Sequence, residues 1–80
     1  MKLIIMTPSK KEIVDVEWVE LNTSAGNFII QSGHAPMILS LSEKQPLLYG
    51  LKNNKETIIM VHTGMAHITR SEVTLLLADG

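Results

Sequence analysis

Three histidines and a short acidic run are the side chains of this 80-residue chain suited to metal binding or proton transfer. His62 and His67 flank Gly64, and a tight turn centred there would make them neighbours across a hairpin, the beginning of a metal site. Zinc takes three or four ligands, and no third suitable side chain lies nearby in sequence, so both read as solvated. His34 stands alone in a Gly-His-Ala-Pro turn, where its ring either stabilises the turn or meets a partner's polar group; both readings stay open. Asp15, Glu17 and Glu20 alternate along one expected strand and keep its outer surface soluble. There is no Gly-x-Ser-x-Gly elbow, no phosphate-cradling glycine loop and no His-Glu-x-x-His helix. No catalytic residue and no metal site are assigned, and the chain is read as non-enzymatic. An enzyme whose site assembles only on oligomerisation is the weakest alternative.

The elements that would carry these residues are strands. Apolar residues come in short β-rich runs separated by turn signals, the pattern of an all-β sandwich or barrel, and no helix is evident. Strands are expected at Leu3 to Met6, Ile13 to Leu21, Asn27 to Ile30, Met37 to Leu41, Leu47 to Leu51, Thr57 to His62, Met65 to Thr69 and Val73 to Leu77. Lys52 to Lys55 reads as a hairpin turn in which Asn53 or Asn54 tolerates positive φ. Gly26 supplies a turn conformation closed to residues with a Cβ, and Gly33 with Pro36 fixes the next corner. In the second strand Val14, Val16 and Trp18 share one face while Val19 and Leu21 fall on the other, which requires a bulge or a change of sheet. Trp18 either faces outward toward a partner or fills the core.

Composition bounds the function. Eighty residues make one domain, 1–80, which buries only about 60–65% of its extended-chain surface. The absence of cysteine excludes disulfides and thiolate metal sites. Seven basic residues against eight acidic ones, scattered, with one each of Phe, Tyr and Trp, argue against a nucleic-acid groove. Apolar runs such as Ile58 to Val61 fall far short of the roughly 18 residues of a spanning helix, so neither a membrane span nor a signal peptide is expected.

The stretch Gly26-Asn27-Phe28-Ile29-Ile30-Gln31-Ser32-Gly33-His34-Ala35-Pro36 resembles the N-terminal β-sandwich domain of the epsilon subunit of F-type ATP synthases, where a Gly-x-Phe-x-Ile strand runs into Gly-His-Ala-Pro. Leu3 to Pro8 is similar to that family's first strand and its Thr-Pro exit, and Val73 to Asp79 to its last strand, which closes on Ala-Asp. The chain departs from the family at Ser32, where relatives usually carry proline, and at Glu43-Lys44-Gln45-Pro46, where they carry a Lys-Pro-Gly turn. It stops at Asp79-Gly80, where a typical member continues into a two-helix domain, as a naturally short subunit or as a trimmed piece. That domain's regulatory and ATP-binding roles do not carry over.

The resemblance implies an all-β sandwich of eight to ten short antiparallel strands that links the gamma subunit to the c ring of a proton- or sodium-translocating ATP synthase. It would be a non-catalytic central-stalk rotor part, with no cofactor, no small-molecule substrate and no direct membrane insertion. Its place would be peripheral, on the cytoplasmic side of a bacterial inner membrane. Gly26, Asn27, Gln31 and His34 would meet the c ring and Met37, Ile38 and Leu39 the gamma subunit, and Trp18, on the reading in which it faces outward, would be a further contact. Each interface would bury roughly 800 Å² per partner or more. The alternative is a stand-alone β-sandwich binding module for a small ligand or protein, because fold alone never settles function.

Overall fold

Nine short apolar runs become strands in the computed structural model, which describes residues 1–78. They are β1 (Lys2–Met6), β2 (Lys11–Asp15), β3 (Trp18–Thr23), β4 (Gly26–Ile30), β5 (Met37–Leu41), β6 (Gln45–Gly50), β7 (Glu56–Val61), β8 (Gly64–Ile68) and β9 (Glu72–Leu77). No helix forms among the described residues, so none is long and apolar enough to cross a membrane. Pairing runs β2-β1-β9-β8-β5-β3-β6-β7, with β4 on the other edge of β3. β3 touches β5 through a single pair, Thr23 opposite Leu41. The strands therefore form two layers, β2-β1-β9-β8-β5 and β4-β3-β6-β7, joined at that corner. This is the expected all-β sandwich, with one exception to antiparallel pairing: β1 and β9, the first and last strands, run parallel.

Period-two alternation fills the space between the layers. Leu3 and Ile5 of β1, Val73 and Leu75 of β9, and Ala66 and Ile68 of β8 meet Val19 and Leu21 of β3, Leu47 and Tyr49 of β6, and Val61 of β7 in one buried cluster. The broken alternation between Ile13 and Leu21 is a change of sheet, so the single strand expected there is two. β2 ends at Asp15 in one layer and β3 starts at Trp18 in the other. Val16, fully buried, plugs the crossing, its N–H donating to the Met1 carbonyl at 2.8 Å. The next N–H, from Glu17, donates to Gly50 in the opposite layer at 2.8 Å. Asp15, Glu17 and Glu20 consequently belong to a strand end, a link and a second strand rather than to one outer surface.

β7 and β8 are likewise not a hairpin: the chain crosses layers at His62 and Thr63, so β7 pairs only with β6 and β8 with β5 and β9. Turn chemistry behaves as residue type predicts at Asn54 (φ 65°) and Gly26 (φ 124°). Nothing lies within 4 Å of a Cβ built on Gly26, so backbone conformation alone demands glycine there. Lys44 also takes a left-handed φ of 56°, in the turn that lacks the family's glycine. Of the Ala-Asp close, Ala78 follows β9, and Asp79 lies outside the described residues.

Two predictions follow from this arrangement. Val16→Ala should cost about 2 kcal/mol in a denaturant titration, whereas Ile13→Ala, three residues earlier and exposed, should change stability by no more than about 0.5 kcal/mol. The N-terminal ammonium, 3.3 Å from Asp15 Oδ1, and Lys52 Nζ, 3.5 Å from Oδ2, hold the Asp15 carboxyl below the usual aspartate value, the ammonium hydrogen bond contributing most. A depressed carboxyl contributes stability above its unfolded pKa that is lost as pH falls through the folded one. Asp15→Asn should therefore lower the unfolding midpoint slightly at neutral pH, an effect that shrinks as acid protonates the folded carboxyl.

Candidate functional site

The Gly-His-Ala-Pro corner links β4 to β5 and is tied down by its own backbone. Gly33 adopts a φ of 88° and donates its N–H to the Arg70 carbonyl in the β8/β9 turn at 2.8 Å. The N–H of His34 reaches the Gln31 carbonyl at 3.2 Å, and its ring Nδ1 lies 2.9 Å from the Ala35 carbonyl, a contact that places the ring hydrogen on Nδ1. The half-buried His34 ring thus contacts its own turn. His62 sits in the β7/β8 crossing and His67 on the outer face of β8, both exposed. Among the described residues, no three His, Cys, Asp or Glu side chains gather in a group able to hold a metal ion.

Gly26, Asn27, Gln31 and His34 do not share one end of the sandwich. β4 is extended between them, so Gly26 and Gln31 stand about 16 Å apart. Thr23 and Gly26 flank the two-residue Ser24-Ala25 turn with Asn27 next along β4, and Thr23 Oγ1 donates to the Gly26 carbonyl and accepts from the Ala25 N–H. Exposed Asn27 donates through Nδ2 to Asn22 Oδ1 at 3.0 Å and lies 3.3 Å from Glu20 Oε2. Gln31 and His34 lie at the opposite end.

Alternation also divides Met37, Ile38 and Leu39. Met37 and Leu39 point inward and pack on the core, leaving Ile38, 65% exposed, as the one available to a partner. Register sets Ile38 in a row across the whole outer face of its layer: Ile13, Ile4, Thr74, His67, Ile38. The adjacent row is Lys11, Met6, Leu76, Met65, Ser40. Six apolar side chains therefore form a contiguous patch on a solvent-facing sheet. Ile4, Met6, Ile13, Met65 and Leu76 were not singled out from sequence. Their signal was parity: each neighbours a core residue along its strand, which becomes informative only once the core face is known.

Trp18 lies on the outer face of the other layer, outside the core cluster, and is half-buried. Its indole covers Gly50 on β6: a Cβ there would sit 2.2 Å from Trp18 Nε1. Around the ring, Trp18, Glu20, Ile29, Gln31 and Glu56 line an open hollow of about 330 Å³.

Comparison with known proteins gives one family and a consistent fold. Residues 1–79 match the family described as the ATP synthase, delta/epsilon chain, beta-sandwich domain. No curated protein matches significantly by sequence. A chain in the cryo-EM structure of the Euglena gracilis mitochondrial ATP synthase, OSCP/F1/c-ring in rotational state 1, superposes with a TM-score of 0.86 at 17% identity, covering 94% of this chain and 48% of that one. A chain in the central stalk and c-ring of the Tetrahymena thermophila mitochondrial ATP synthase superposes with a TM-score of 0.80 at 17% identity, covering 99% of this chain and 63% of that one. At such identity the likeness is one of fold, and this chain spans about half to two thirds of those neighbours.

Gly50→Ala tests the Trp18 placement. The added methyl has no room beneath the indole, so the ring should be displaced into solvent, giving a red-shifted emission from the chain's sole tryptophan and a loss of about 1–3 kcal/mol.

Proposed function

Because the chain belongs to the ATP synthase delta/epsilon β-sandwich family, we propose that it is a central-stalk rotor subunit of an F-type ATP synthase, joining the gamma subunit to the c ring. Its work is mechanical and non-catalytic: it holds two partners through surface complementarity so that ion flow and ATP synthesis stay coupled. In a bacterium it would sit peripherally on the cytoplasmic side of the inner membrane. The observation that carries this reading, beyond family membership, is the apolar outer face of β2-β1-β9-β8-β5. A sheet face bearing exposed Met6, Ile13, Ile38, Met65 and Leu76 with half-buried Ile4 among them suits a large dry protein contact, whereas a small-ligand module calls for an enclosing pocket.

On this reading the gamma subunit covers that face, with Ile38 at one side of it and Ile13 at the other. The polar loops of the c ring meet the end holding Gly26 and Asn27, where Asn27, Asn22 and Glu20 form a hydrogen-bonded rim. At the opposite end the His34 ring is engaged with its own turn, which leaves less there for a partner.

The test is co-expression with the gamma subunit from the same source, read by native mass spectrometry, where a one-to-one complex is expected. Ile38→Asp with Met65→Asp should weaken that complex about thirtyfold or more without altering the unfolding midpoint. A persistent free monomer at low and moderate salt would instead favour a stand-alone binding module. Asn27→Lys and Gln31→Lys separate the two ends: binding to the isolated ring should fall for the first and hold for the second, and the reverse pattern would move the contact.

A further inference from the structure

The outer face of β4-β3-β6-β7 carries charge of one sign on an apolar ground. Register sets Trp18 beside Gly50 and Glu56, and Ile29 beside Glu20, Leu48 and Ile58. Gln31 lines the hollow with Trp18, and Asn27 pairs with Asn22, whose side chain reaches Pro46 opposite Met60. No lysine or arginine stands in these rows, and neither Glu20 nor Glu56 has a cationic partner among the described residues. Glu20 Oε2 receives only the long contact from Asn27. Ile29, Ile58 and Met60 are more than half exposed. Because Gly50 has no side chain, the indole of Trp18 occupies the space over it on β6, and the ring lines one hollow with the Glu20 and Glu56 side chains.

We propose that this face is a docking surface for a basic amphipathic polypeptide segment, with an arginine of that segment seated on Trp18 between Glu20 and Glu56. A guanidinium satisfies all three groups at once: its plane stacks on the indole while its N–H groups donate to the carboxylates. The segment's apolar side chains then cover Ile29, Ile58 and Met60. Charge decides against the other occupants of an exposed apolar sheet. A second copy presenting the same face would oppose carboxylate to carboxylate, and an anionic lipid surface would be repelled in the same way. The surface lies on the layer opposite the patch assigned to gamma and adjoins the proposed c-ring rim at Glu20, while Trp18, Glu56, Ile29, Ile58 and Met60 belong to neither assigned contact.

The sole tryptophan makes the test direct. The chain is titrated at low salt with a capped amphipathic helical peptide of leucine and arginine, and with the same peptide carrying glutamate for arginine, following Trp18 emission. The arginine peptide should give a saturable shift and the glutamate peptide none. Glu20→Gln with Glu56→Gln, both outside the core, should keep the unfolding midpoint and weaken binding about tenfold. Trp18→Leu, followed by calorimetry, should weaken it comparably. Absence of a saturable shift, equal binding of the two peptides, or full affinity in the double glutamine variant would each overturn the proposal.

Discussion

The sandwich depends on how β3 is shared. One edge of β3 pairs with β4 along its length, while the other is divided, holding β6 at Trp18 to Glu20 and β5 at Thr23. Between these contacts the ladder must open, and backbone groups released inside a small protein need other partners. The Asn22 carbonyl accepts the Ser42 N–H at 2.8 Å, and Asn22 Nδ2 donates to the Pro46 carbonyl at 2.8 Å. Pro46 fits this gap because it has no N–H to offer a ladder that is no longer there. The amide side chain of Asn22 thus stands in for a missing strand neighbour, and both layers hang from that corner.

A two-layer fold of this size has little interior, and the chain spends its apolar residues beyond it. The buried cluster accounts for the inner parity of the strands, yet isoleucines and methionines recur on the outer parity of both layers. Excess apolar surface of that kind lowers solubility and brings no folding stability, so it makes sense as surface meant to be covered. The two outer faces differ in electrostatic character. One mixes Lys2, Lys11, Asp15 and Glu72 around its apolar centre, and the other holds only Glu20 and Glu56, so the two would select different partners.

Much of the fold was legible in the residues because strand alternation and turn chemistry are local. The Gly26 and Gly33 corners, the Asn54 turn and the all-β class needed no information from distant parts of the chain. What local pattern leaves undecided is which layer a strand joins. The alternation break at Val16 announced a disruption, and only the pairing of Glu17 with Gly50 makes it a crossing. Met37, Ile38 and Leu39 were grouped by the family resemblance, as were Asn27, Gln31 and His34; alternation along β5 divides the first set, and the length of β4 separates Asn27 from Gln31 and His34 in the second. Lys44 was invisible for another reason: lysine has no preference for left-handed φ, and the turn imposes it. The parallel pairing of β1 and β9 leaves no local trace, since it joins residues about 70 positions apart.

That parallel pair has a mechanical meaning. β1 begins at one end of the sandwich and β9 finishes at the other, with five residue pairs in register between them. Tension applied across the start of β1 and the finish of β9 slides the strands along each other, so the interstrand hydrogen bonds are strained together. A hairpin pulled from its open end would instead yield one bond at a time. Placed between β2 and β9, β1 cannot peel away as a free edge. Drawing the sandwich out between the start of β1 and the finish of β9 therefore requires five residue pairs to shear together.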